Sequence, residues 1–168
     1  AQPGDRIFVS GNLGDAALAL AGLQSEVELR DATIDELQKR LFYPTPRVAL
    51  GQLLRNQATS AIDLSDGLAG DLQHILAASG VGARVNLDAL PASLAFRANL
   101  KPQEGWHYQL NGGDDYELCF TVPENRCGVL ESLVRQAGVT VSCIGTIEAQ
   151  RGLRFFHKDK VIKLDDSS

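Results

Sequence analysis

Short apolar runs and helically spaced apolar positions succeed one another along the chain, separated by loops rich in glycine, proline and acids. Arg6-Ile7-Phe8-Val9-Ser10 reads as a strand, Gly11 to Asp15 as a tight loop, and Ala16 to Ala21 as a helix of strong helix formers. Asp15 suits the N-cap or the first turn of that helix. Ile34, Leu37 and Leu41 fall at three- and four-residue spacing and predict a helix from Asp31 to Phe42, stopped by Tyr43-Pro44-Thr45-Pro46. A second helix is predicted from Pro46, in its first turn, through Val48, Leu50, Leu53 and Leu54.

Ser60 to Leu64 is a compact strand, and Leu68, Leu72, Ile75 and Leu76 recur at helical spacing just beyond Ser65-Asp66-Gly67. Ser79-Gly80-Val81-Gly82 ends that helix, and Ala83 to Leu87 alternates as a strand. From Asp88 to Gly105 the pattern is weak and predicts a surface excursion, with one short helix bracketed by Pro91 and Pro102. Glu117 to Val122 is the clearest strand. A helix starting at Pro123-Glu124 carries Val129, Leu130, Leu133 and Val134, and Val139 to Ile144 is a further strand, which together predict a β-α-β unit. Leu153 to His157 and Val161 to Leu164 read as a closing hairpin. The fold class predicted is α+β, a mixed β-sheet with packed helices.

Composition narrows the function. A chain of 168 residues with 44% hydrophobic content supports one core and one domain, residues 1–168. Sixteen basic against 21 acidic residues, a net charge of -5, oppose a nucleic-acid partner and suit a small, metal-complexed ligand. Cys119, Cys127 and Cys143 are odd in number and lack metal-binding spacing, which points to a reducing compartment. Cys119 and Cys143, in apolar runs, read as buried thiols. With neither a membrane span nor a signal pattern, the expected location is the cytoplasm. The chain contains no methionine and reads as a piece of a longer polypeptide.

Candidate chemistry is concentrated in two acidic, glycine-flanked segments. In Asp63-Leu64-Ser65-Asp66-Gly67-Leu68, two carboxylates at a strand-to-helix junction supply hard oxygen ligands for magnesium, Ser65 adds a hydroxyl, and the new helix offers free N–H groups to an anion. In Asn111-Gly112-Gly113-Asp114-Asp115-Tyr116, the acids can accept from a cationic or amino-bearing ligand and the tyrosine can wall a pocket. On spacing alone, both segments serve equally as helix caps and turns. His74, His107 and His157, without a paired acid, read as packing or surface residues; Arg47 faces either an anion or solvent.

Taken in order, Gly4 to Gly11 with Leu13-Gly14-Asp15, Pro44-Thr45-Pro46-Arg47, Asp63 to Leu68 with Asp71-Leu72, Gly112 to Glu117 with Phe120-Thr121, and Ile144-Gly145 run through nearly the whole chain. Together they make it resemble the C-terminal domain of the thiamine-monophosphate kinases, in the superfamily that includes aminoimidazole-ribonucleotide synthetase. The resemblance implies a two-domain enzyme, dimeric, using magnesium and ATP to phosphorylate thiamine monophosphate to thiamine diphosphate. It implies that Asp63 and Asp66 ligate magnesium, Ser65 contacts the nucleotide and Asp114 contacts the substrate, with no residue acting as a covalent catalyst. Many members carry glutamate where Asp114 stands. The family's N-terminal ATP and magnesium domain is absent from this chain, as is an aromatic residue in the tail, so the chain is expected to be inactive alone. The alternatives are another ATP-using synthetase of the superfamily, or a non-catalytic binding or dimerisation domain.

Overall fold

The computed structural model describes residues 1–164. At the centre of its sheet is β1 (Arg6–Ser10), whose Ile7, Phe8 and Val9 alternate between two buried faces. Seven strands form one sheet in the order β2-β4-β1-β5-β3-β6-β7, comprising β2 (Ser60–Asp63), β3 (Gly82–Asn86), β4 (Leu118–Val122), β5 (Val141–Glu148), β6 (Gly152–His157) and β7 (Lys160–Ile162). Every neighbouring pair is antiparallel except β3 and β6, so the sheet is mixed as expected. Both β4 and β5 run antiparallel to β1 and hence parallel to each other. The expected β-α-β unit is therefore present, with the N-terminal strand inserted between its two strands.

The described residues form seven helices on or beside the sheet: α1 (Asp15–Leu23), α2 (Asp31–Phe42), α3 (Val48–Leu53), α4 (Leu68–Ser79), α5 (Leu94–Asn99), α6 (Pro102–Asn111) and α7 (Cys127–Gln136). On one face, Ile7, Val9, Val85 and Cys119 pack with Leu68 and Leu72 of α4 and Trp106 and Leu110 of α6. On the other, Phe8 stacks on Phe120 at 5.6 Å between ring centres, under Leu50 of α3 and Leu130 of α7. A third cluster around Leu18, Leu37 and Phe96 joins α1, α2 and α5 beside the sheet. Among the described residues no helix is long and apolar enough to cross a membrane.

Three details depart from the expectations. The third helix starts at Val48, two residues after Pro46. The weak segment holds not only α5 but also the ten-residue α6, with Pro102 in its first turn and the Lys101 N–H donating to Glu104 Oε1 at 3.0 Å. Between β1 and β5 the pairing skips Ile144, a bulge that lets Ile144 and Ile147 reach the same core although they are three residues apart. The bulge accompanies an outward-facing Cys143, which is exposed and not a buried thiol.

Candidate active site

The two acidic segments are bonded to each other. The β2–β4 ladder ends at Asp63 opposite Leu118, and the backbone pairing continues into the loops. Leu64 N–H donates to Glu117 O at 2.8 Å, Tyr116 N–H to Leu64 O at 3.0 Å, and Asp114 N–H to Ser65 O at 3.0 Å. Two glycines permit this approach: a Cβ on Gly113 would lie 2.7 Å from Ser65 O, and one on Gly67, whose φ is +120°, would lie 2.9 Å from Leu110 O. Gly113→Ala is expected to prise the loops apart and cost about 2 kcal/mol. A shift in the urea midpoint would show it, and an unchanged midpoint would contradict the contact.

Asp63, Ser65, Asp66 and Asp114 are exposed, and among the described residues their side chains make no hydrogen bond or ion pair. The N-cap of α4 is Gly67, without any side-chain cap, so neither Ser65 nor Asp66 performs the capping role that spacing left open. Asp63 borders a cleft of about 490 Å³ lined by Pro44, Pro46, Val48 and Tyr116, whereas Asp114 borders a different one of about 360 Å³ against Ala17, Leu20, Leu41 and Tyr108. A further cavity, about 740 Å³ beside Trp106 and Lys101, shares no residue with the acidic loops. Among the described residues no three His, Cys, Asp or Glu side chains gather as a metal site. Two exposed carboxylates and a hydroxyl still suit magnesium, which takes one or two protein carboxylates and completes its shell with water and phosphate oxygens.

Beneath these loops lies a layer of buried charge. Glu117 is fully buried; its carboxylate accepts from Ser10 Oγ at 2.6 Å, Arg40 Nη2 at 2.7 Å, and Arg47 Nε and Nη2 at 2.8 and 2.9 Å. Ser10 Oγ in turn accepts from Leu118 N–H at 2.9 Å. The hydrogen bond to Glu117 holds the Arg47 guanidinium above its ordinary pKa. Arg47 thus faces an anion, and that anion belongs to the chain itself. Asp115 is buried between Asp114 and Tyr116, both in the left-handed region at φ +65° and +52°. It accepts from Gly14 N–H at 3.1 Å, and burial, aided by the nearby Asp15, pushes its pKa up to about 7. Asp15 lies in the first turn of α1 after an N-cap at Gly14. It accepts from Ser93 Oγ at 2.7 Å, and burial raises its pKa as well.

Asp71, Glu117 and Arg40 carry no assigned role in the sequence, and Asp115, expected with Asp114 to accept from a ligand, is buried and accepts instead from the Gly14 N–H. Only Asp71 left a local signal, standing three residues after Leu68 and one before Leu72 on the apolar side of α4. His157 does have an acid partner, Asp88 Oδ1 at 2.6 Å from Nδ1, and its ring packs edge-on against Trp106, away from the acidic loops.

A mixed sheet whose strand-end loops carry exposed acids, braced by the ion pairs of the buried Glu117, defines an α+β domain. The chain belongs to the family described as AIR synthase related protein, C-terminal domain, whose sequence profile matches residues 2–158. It is 47% identical over 167 residues to the thiamine-monophosphate kinase of Escherichia coli (strain K12), covering 98% of this chain and 51% of that protein. Its fold is similar to the crystal structure of thiamine-monophosphate kinase from Stenotrophomonas maltophilia K279a, with TM-score 0.87, 42% identity, and coverage of 96% of this chain and 52% of that one. It is also similar to AaThiL complexed with AMPPCP and TMP, with TM-score 0.79, 30% identity, and coverage of 98% and 50%. The chain spans about half the length of the curated relatives it matches.

Proposed function

We propose that this chain is the C-terminal part of a kinase that uses ATP and magnesium to phosphorylate thiamine monophosphate to thiamine diphosphate. The observation that carries the reading is the set of exposed, unpartnered Asp63, Ser65 and Asp66 side chains on a loop zipped to the one bearing Asp114. The likeness to AaThiL, complexed with AMPPCP and TMP, supports the choice of nucleotide and acceptor.

In this reading Asp63 and Asp66 hold magnesium, Ser65 Oγ donates to a nucleotide phosphate, and the Asp114 carboxylate holds the cationic, amino-bearing thiamine moiety at the neighbouring cleft. Bound magnesium neutralises charge on the transferring phosphoryl group. The protein's task is to align donor and acceptor in line. The acceptor phosphate, with a second pKa near ~6, is largely ionised at neutral pH, so the chain need not supply a strong general base. We place the full enzyme, as a dimer, in the cytoplasm, where the three free cysteines of this chain stay reduced.

Asp66→Asn in the full-length enzyme is expected to lower kcat by about 100-fold, the scale on which losing one group that helps neutralise transition-state charge acts. Formation of thiamine diphosphate in a steady-state assay measures it. Turnover at the wild-type rate would remove Asp66 from the metal site, and a wild-type enzyme unable to make thiamine diphosphate would overturn the reading as a whole.

A further inference from the structure

Ser65 and Asp66 contribute two successive backbone N–H groups at the start of the loop, the kind of pair that elsewhere cradles an anion. Here both point inward. The Ser65 N–H donates to Asp71 Oδ2 at 3.0 Å and the Asp66 N–H to the same oxygen at 3.1 Å. Asp71 is only 3% exposed, and among the described residues no cation pairs with it. Its carboxylate is close enough to the buried Cys119 thiol to help push that pKa up to about 12, after the larger effect of burial. A buried carboxylate without a counter-ion is costly. What offsets the cost is the two N–H donors and a position in the first turn of α4, where the helix dipole favours negative charge.

From this we infer that Asp71 is a positioning residue: an internal anion that fills the Ser65–Asp66 backbone cradle and fixes the loop so that the Ser65 hydroxyl and Asp66 carboxylate face the magnesium-nucleotide. The loop is then ordered before any ligand arrives, and its backbone amides are not available to phosphate. Nucleotide binding depends on the outward side chains and the metal they hold. A ligand enters a site whose ordering cost is already met within the fold. The sequence pattern points to the free N–H groups of the helix beginning at Leu68 as the anion donors, whereas the two amides just before it are already engaged by Asp71. The inference rests on the magnesium-nucleotide reading of Asp63, Ser65 and Asp66, but not on which acceptor is phosphorylated.

The binding test uses the full-length enzyme, a non-hydrolysable ATP analogue and titrated Mg2+, without thiamine monophosphate, and a separate turnover assay with ATP gives the KM for thiamine monophosphate. In Asp71→Ala, the Mg2+ concentration giving half-maximal analogue binding by calorimetry is expected to rise about tenfold, with the KM for thiamine monophosphate within twofold of wild type. Asp71→Asn keeps one carbonyl oxygen for the two N–H groups and should recover most of the loss. An unchanged Mg2+ dependence in folded Asp71→Ala overturns the inference, because a purely structural residue would lower thermal stability without moving it. Amide hydrogen exchange in the wild-type protein gives an answer even if Asp71→Ala does not fold. The Ser65 and Asp66 amides are expected to be protected before ligand is added and to change by less than twofold on binding Mg2+ and the analogue. A tenfold gain in protection on binding would show that these amides meet phosphate and would overturn the inference. If the wild-type enzyme binds the analogue with Mg2+ yet does not phosphorylate thiamine monophosphate, the acceptor reading fails while the behaviour of Asp71 is still decided.

Discussion

Glu117→Ala is expected to destabilise the protein by about 4 kcal/mol, the scale on which removal of one partner disrupts a buried ion pair. The single carboxylate satisfies Ser10 on β1, Arg40 on α2 and Arg47 just before α3, so its loss orphans three elements at once. Both guanidiniums are partly exposed and can recover some hydration, but the Ser10 hydroxyl is buried and cannot. Urea unfolding measures the effect. Arg47→Lys should cost less, since lysine keeps the charge and loses the two-pronged contact. If Glu117→Ala cost under about 1 kcal/mol, the strut would be ornamental and the Tyr116 loop held by backbone pairing alone.

Asp115→Asn is expected to do the reverse and stabilise the protein at alkaline pH. The carboxyl moves from an ordinary 3.8 to about 7 in the fold, mainly because it is buried, with Asp15 and Glu117 nearby and Arg40 only partly compensating. The folded state thus holds a proton that the unfolded state has released, and stability from this group is full below about pH 4 and lost as pH rises through 7. At pH 8 the wild-type protein carries a buried, largely uncompensated charge, and by linkage the amide variant should be more stable by up to about 4 kcal/mol. Asparagine retains an oxygen for the Gly14 N–H, so the contact itself survives. Unfolding curves from pH 4 to pH 8 should converge at the acid end and separate at the alkaline end. Parallel curves would mean that Asp115 does not titrate in this window.

The strands were legible where apolar runs were short and bounded, as in Arg6–Ser10 and Leu118–Val122, because two buried faces require continuous hydrophobic stretches. Helix α6 was hidden because its buried positions, Gly105, Trp106, Gln109 and Leu110, include a glycine and a glutamine and so leave only two large apolar side chains to mark a helical stripe. The outward acids Asp63, Asp66 and Asp114 stood out through their glycines and their order along the chain. Their supports did not, since each depends on distant residues. Glu117 meets Arg40 across 77 positions and Ser10 across 107, and a charged residue with no local partner looks like a surface residue until the fold closes.

The position of β1 also governs how the chain comes together during synthesis. Its Ile7 pairs with Thr121 on one side and Gly145 on the other, so the strand at the heart of the sheet leaves the ribosome long before either partner exists. At ordinary translation rates that interval is roughly 6 to 30 s, during which the Ile-Phe-Val segment lacks both of its sheet partners. Closure of the sheet must await the downstream half, which makes this a slow, non-local folding topology and leaves both edges of the nascent β1 strand open to pairing with chaperones or with copies of itself.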